Sequence, residues 1–451
     1  MSSRRPAPTI LFTAIMASVV VVPWAVNGMP ARHNVPVADE TLLVSQSLTG
    51  VGGGETVREV SQETPFSMVA LTGTDLTGTS ARIRAKKDDG SWGTWYHVVG
   101  SADITDESGT APIGTDPVYV GPTTAVQIAV TRPHNAPVTT APPATGLDAG
   151  ADLGYVPANA EKSLSQNLSA VLITPPKAPV DSQWTPPNAT LGPGQPPHII
   201  SRAEWGAGSG SRCGGPYYGS GVRAGVVHHT ATGNDYAPED SAAILRSIYA
   251  YHTVTLGWCD IAYNALVDKY GQVFEGRAGG ITKDVMGSHT GGFNSDVWGV
   301  SMIGNFEDEP PPDIMIKTVG RLLGWRLGLD HVNPLGSVHL KSAGGQYTVV
   351  PGGRVVELPE IFAHRDVGNT ECPGNLGYAA LGEIRKIAAA FNGPPDVTES
   401  LEGGAILARW EADGRPGLPP PAPVSIVHRS PAQAELAHWA PLIRASGFRP
   451  E

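Results

Sequence analysis

A chain of 451 residues, 41% of them hydrophobic, is long enough for two or three folded domains, and its 55 Gly and 41 Pro call for extended connecting segments as well. This apolar content excludes an intrinsically disordered protein. The 31 basic and 42 acidic residues leave a net charge of −11, scattered along the chain, which excludes a nucleic-acid partner held by a broad basic surface.

Arg4 and Arg5 precede an apolar run from Thr9 to Val26, and Gly28 supplies a small residue for cleavage. Residues 1–28 therefore read as a signal peptide. The run is also near the minimum for crossing a bilayer, so an uncleaved anchor stays open. In both cases the chain is exported, to the cell envelope or beyond. From about Val44 to Arg132 short strand patterns alternate with turn signals: Phe66–Leu71, Ala81–Ala85, Trp92–Val99 and Val126–Val130, with Asp88-Asp89-Gly90 at a hairpin turn. No helical period intervenes, and residues 44–132 are expected to form an all-β, sandwich-like accessory domain. Trp92, Trp95 and Tyr96 belong to its core or stack on a sugar.

Residues 133–197 are rich in Pro, Ala and Thr and read as a semi-rigid linker that separates two folding units, with one apolar patch at Leu168 to Ile173. Residues 199–392 mix both periodicities. Strands are expected at Arg223–His229, Asp260–Val267, Gln272–Glu275 and Val297–Phe306. Helices are expected at Pro238–Tyr251, Asp313–Leu329 and Leu376–Phe391. The pattern is that of an α/β domain, a central mixed sheet flanked by helices. His331 and His339 fall in a connection and read as solvated. Residues 393–451 form a Pro-rich tail with one short helix near Ala432 to Ala445.

Within this second unit His364 and Cys372 stand eight positions apart in the run Ile361 to Pro373. Both residue types ligate zinc, and a catalytic zinc takes three protein ligands and keeps one position for water. The third ligand is sought in His228-His229. Adjacent residues of a strand face opposite ways, so only one of the pair can join. Three cysteines are an odd number for an exported chain. If Cys372 binds metal, Cys213 and Cys259 remain to pair. Arg277 suits a substrate carboxylate through its two-pronged guanidinium, and His289, in the Gly-rich stretch 287–292, is placed to reach a cleft.

Seven motifs in order resemble the peptidoglycan recognition proteins and the related phage-type zinc amidases, which are N-acetylmuramoyl-L-alanine amidases. They are Ser201-Arg202-Ala203-Glu204-Trp205-Gly206, Val226 to Thr230, Trp258 to Asn264, Val273 to Arg277, Ser288 to Asn294, Val300 to Phe306 and the His364 to Cys372 run. The resemblance covers about 199–392 and implies a bacterial, secreted member of that family. It implies that His228, His364 and Cys372 hold Zn2+, with His229 structural. It also implies that Tyr263 lies beside the metal, where its hydroxyl orients water or donates to the developing oxyanion. Thr370, two before the ligand Cys, follows the recognition-protein branch rather than the lysine of the phage branch. The segment with His289 and Asn294 is implied to line the substrate groove. The implied reaction is hydrolysis of the amide between the muramoyl lactyl group and the first L-alanine of the stem peptide of peptidoglycan; separately, the chain is expected to be a monomer. A non-catalytic muropeptide receptor and a wall-anchoring protein are the rival expectations. Receptors of the family usually lack a zinc ligand, and this chain retains the full set. No glutamate occupies a general-base motif, which leaves the proton acceptor open.

Overall fold

The computed structural model describes residues 41–73, 76–98, 113–140, 167–183, 192–207 and 211–393. The expected signal or anchor segment 1–28 and, beyond Gly393, the expected tail lie outside the described residues.

The N-terminal unit is all β. Its strands are β1 (Leu42–Ser47), β2 (Gly54–Gly73), β3 (Ser80–Ala85), β4 (Tyr96–Val98), β5 (Ile113–Gly114), β6 (Val118–Arg132) and β7 (Leu168–Thr174). They form one sheet in the order β1-β7-β2-β6-β3-β4, with β5 on β2. Two strands are far longer than the turn signals suggest: β2 runs for 20 residues and β6 for 15. Their pairing slips between Ser61 and Phe66 and again before Met68. Such irregularities bend a strand, and the sheet folds over itself. Val60, Ile83, Val126 and Ile128 from one half thus share a core with Phe66, Val69, Leu71 and Leu172 from the other. The hairpin turn forms as expected, Lys87 N–H donating to the Ser91 carbonyl at 2.8 Å. Trp92 and Trp95 are half-buried on the outside of β3, where Arg82 and Arg84 stack on Trp95 and Lys86 on Trp92. Only Tyr96 packs on the core.

The expectation that 133–197 is a linker separating two units needs correction. Its Leu168–Thr174 patch is β7, paired antiparallel with β1 on one side and β2 on the other. Seven residues with a branched, apolar face gain more from closing a sheet than from staying solvated. The following chain then lies against the second unit, where Asp181 accepts from Arg246 at 2.6 and 2.8 Å. The units are not separated. Alternate residues Met68, Ala70, Val171 and Ile173 face outward from the sheet and join Ile244, Ile248, Tyr251 and Leu256 in one buried cluster.

The second unit contains β8 (Ile199–Ile200), α1 (Arg202–Trp205), β9 (Ala224–His229), α2 (Ser241–Ala250), β10 (Ala265–Val267), β11 (Val273–Glu275) and β12 (Val297–Met302). Then come α3 (Asp313–Gly328), β13 (Ser337–Lys341), β14 (Val355–Pro359), β15 (Ile361–Ala363), α4 (Asn375–Ala379) and α5 (Leu381–Phe391). Its mixed sheet has the order β15-β9-β12-β10-β11-β8, with α3 and α5 over one face and α2 over the other. The segment read as a connection holds the hairpin β13–β14, whose Val338, Leu340 and Leu358 close a smaller core. His339 is on this hairpin, exposed as expected. Cys213 and Cys259 form a disulfide across 46 positions, worth about 4 kcal/mol by loop-closure entropy.

Candidate metal centre

β9 has parallel neighbours on both edges, β12 and β15. A strand in that position is buried on both faces, which is why Ala224-Gly225-Val226-Val227 has no polar alternation. His228 and His229 end this apolar run and are buried with it, at 1% and 3% exposure. His228 shares its face with Ala224 and Val226. His229 points to the opposite face, where its Nδ1 accepts from Phe306 N–H at 3.3 Å.

β15 delivers the second half of the site. It lies alongside β9 in parallel, so the two strands finish at the same edge, where open α/β sheets place their ligands. Beyond Ala363 the chain makes one 3₁₀ turn over His364–Asp366, held by Asp366 accepting from Ala363 N–H at 2.8 Å. It then returns Cys372 beside His364, with Arg365 N–H donating to the Cys372 carbonyl at 2.9 Å. Ligand atoms of His228, His364 and Cys372 lie within 4.8 Å of one another. Cys372 Sγ is 3.7 Å from His228 Nδ1 and accepts from His229 N–H at 3.3 Å.

Burial, then the neighbouring His364, His289 and His229, push the His228 imidazole well below its ordinary pKa. It is held neutral, the form that ligates metal. Two imidazoles and one thiol, converging from one edge of the sheet, fit zinc with a fourth position left for water or substrate.

Tyr263 sits beside the set, its ring 5.3 Å from that of His228 between centroids and 9% exposed. The loop that carries it is fixed by Asp260, which accepts from Ile261 N–H at 2.8 Å and pairs with Arg202 at 3.1 Å. Thr370 is half-buried, and its hydroxyl accepts from Cys372 N–H at 3.2 Å, bracing the ligand loop.

The groove residues fare differently. Arg277 donates to the Ile261 carbonyl at 3.2 Å and is partly held by the protein itself. His289 does not line a groove. It is 1% exposed and lies behind His228, bonded to it and to Asn264. Asn294 accepts from the N–H groups of His289 and Thr290, both at 2.9 Å, and so shapes the 288–294 loop instead of facing substrate. A glycine-rich stretch suggests exposure, yet here its Gly287, together with Gly299 of β12, makes room for a buried ring. Asn264 and Thr290, which complete this buried network, stand inside the quoted motifs but show no chemistry of their own in linear sequence.

Two family models match the chain: an N-terminal galactose-binding domain-like family over 29–146 and N-acetylmuramoyl-L-alanine amidase over 218–375. Peptidoglycan-recognition protein SC2 of Drosophila melanogaster is 35% identical over 180 residues, covering 39% of this chain and 80% of that protein. Peptidoglycan recognition protein 1 of Mus musculus is 31% identical over 187 residues, covering 41% and 85%. Among solved structures, that of Drosophila peptidoglycan recognition protein SA is 28% identical with a TM-score of 0.33, covering 42% of this chain and 92% of that one.

Proposed function

The chain belongs to the peptidoglycan recognition protein family, and from that premise we propose that it is a zinc-dependent N-acetylmuramoyl-L-alanine amidase. Its substrate is the amide between the lactyl group of muramic acid and L-alanine. The observation that carries this reading is the buried convergence of His228, His364 and Cys372 next to Tyr263. Such a donor set is costly to bury without a task.

Bound zinc would supply a nucleophilic water near neutral pH and polarise the scissile carbonyl. The protein does the rest. His228 offers a neutral imidazole, His364 a second imidazole, and Cys372 a sulfur oriented by the His229 N–H that points at it. The Tyr263 hydroxyl donates to the carbonyl oxygen as negative charge builds there, a contact that strengthens towards the transition state. Thr370 holds the Cys372 loop in register through its hydroxyl. The guanidinium edge of Arg277 that Ile261 leaves free meets a substrate carboxylate. Peptidoglycan lies outside the cytoplasmic membrane, so the proposal includes export by the N-terminal apolar segment.

Full-length protein is expected to carry one zinc per chain by elemental analysis and to solubilise peptidoglycan. Cys372→Ser is expected to lose both while keeping its circular dichroism spectrum. Zinc-loaded protein that binds peptidoglycan without cutting it would make the chain a muropeptide receptor instead.

A further inference from the structure

His228 has two ring nitrogens, and the metal set uses only Nδ1, the one 3.7 Å from the Cys372 sulfur. Nε2 points away, into the domain, 3.0 Å from Nδ1 of His289. His289 extends the line, its Nε2 lying 3.1 Å from Oδ1 of Asn264.

Two main-chain groups orient the Asn264 amide. Gly299 N–H donates to Oδ1 at 2.8 Å, and Nδ2 donates to the Val285 carbonyl at 2.8 Å. The atom facing His289 is therefore an acceptor. His289 accordingly carries its proton on Nε2 and presents a lone pair at Nδ1. Two lone pairs facing each other at 3.0 Å would repel, so the proton between the rings is on His228 Nε2. Thr290 leaves this unchanged. Its hydroxyl, 2.9 Å from His289 Nδ1 and 3.4 Å from His228 Nε2, can donate to the first and accept from the second.

The His289 ring has a cradle built for it. A Cβ at Gly287 would fall 2.2 Å from its Cδ2, and one at Gly299 would fall 2.4 Å from its Cε1. Only glycine at both positions leaves space for the ring, and with 1% exposure neither solvent nor substrate reaches it.

We propose that His289, oriented by Asn264, is a positioning residue that holds His228 in its Nε2–H tautomer and offers the Nδ1 lone pair to the metal. The inference rests on the zinc reading for what Nδ1 meets. The tautomer is a property of the metal-free protein. A hydrogen bond of this kind fixes the ring plane and raises the donor strength of the ligating nitrogen, and its loss typically costs 10- to 100-fold in metal affinity.

Two measurements decide it. In metal-free wild-type protein, two-bond ¹H–¹⁵N correlation spectra of the histidine rings should show His228 protonated at Nε2. A proton on Nδ1 overturns the proposal, and this arm needs no variant to fold. In cobalt titrations followed by the thiolate charge-transfer band, His289→Leu, which fills the cradle without an acceptor, should weaken binding by about 10- to 100-fold. His289→Asn, which returns an acceptor near the Nδ1 position, should bind far closer to wild type. Equal affinity for wild type and His289→Leu overturns the proposal. Failure of wild-type protein to take up cobalt at all overturns the zinc reading above, while the ring spectra still decide the tautomer.

Discussion

Tyr263 is the side chain at the site whose chemistry can be removed without touching a ligand. Tyr263→Phe keeps the ring that lies against His228 and deletes only the hydroxyl. The expected outcome is unchanged zinc content with a turnover rate lower by about 10²- to 10³-fold, the usual cost of one oxyanion donor. A rate within a few-fold of wild type would assign Tyr263 to packing. A second prediction concerns His252, buried away from the metal set, whose Nδ1 accepts from Ala262 N–H at 3.4 Å. Burial first, then the nearby Arg277, lower its pKa from 6.5 to about 3. The unfolded chain therefore binds more protons across that interval, so the stability from this group is complete above about pH 6.5 and drains away as the pH falls. Thermal midpoints of the metal-free protein should drop between about pH 6.5 and 4, and His252→Asn should flatten that slope. An unchanged slope would contradict it. At this scale residue type narrows the candidate ligands to His364, Cys372 and one of His228 and His229, the resemblance singles out His228, and those three side chains converge in the structure. The sequence misled at His289, because nothing in linear order reveals that Gly287 and Gly299 lie on the two sides of one ring.

Among the elements, β9 is readable from its apolar run, whereas β15 spans only three residues and carries no strand signal of its own; their parallel pairing explains why two distant motifs meet. The hairpin β13–β14 gives little signal in the sequence because its strands alternate with exposed residues in a segment rich in glycine. β7 was visible as a patch but not as a strand, since its partners lie about a hundred residues upstream. The stretch after β7 is tied down by Asp181, which pairs with Arg246. Arg246 is buried at 1% exposure, and its other donors go to the carbonyls of Pro176 and Trp205. Asp181→Ala would leave that guanidinium without its carboxylate, at a cost of about 3 kcal/mol in denaturant unfolding. A loss below about 0.5 kcal/mol, the range of an exposed pair, would mean that the strap is held by other contacts.

The whole molecule differs most from a sequence reading of beads on a string. The accessory sheet buries its outer face against α2, the Tyr251 hydroxyl donates to the Leu71 carbonyl at 3.4 Å, and Tyr119 N–H donates to the Thr232 hydroxyl just beyond β9. A shared core of this kind couples the two units energetically. Calorimetry of the full chain should show one cooperative transition, and Val171→Asp, which puts a charge into the interface, should split or broaden it. Two independent transitions in wild type would contradict the shared core. The central claim is the chemistry, and mass spectrometry of peptidoglycan digested by zinc-loaded full-length protein tests it most directly. The account predicts stem peptides with a free N-terminal L-alanine and glycan strands with intact lactyl carboxylates, both missing with Cys372→Ser. Release of fragments cut within the glycan or within the stem peptide, or no release at all, would contradict it.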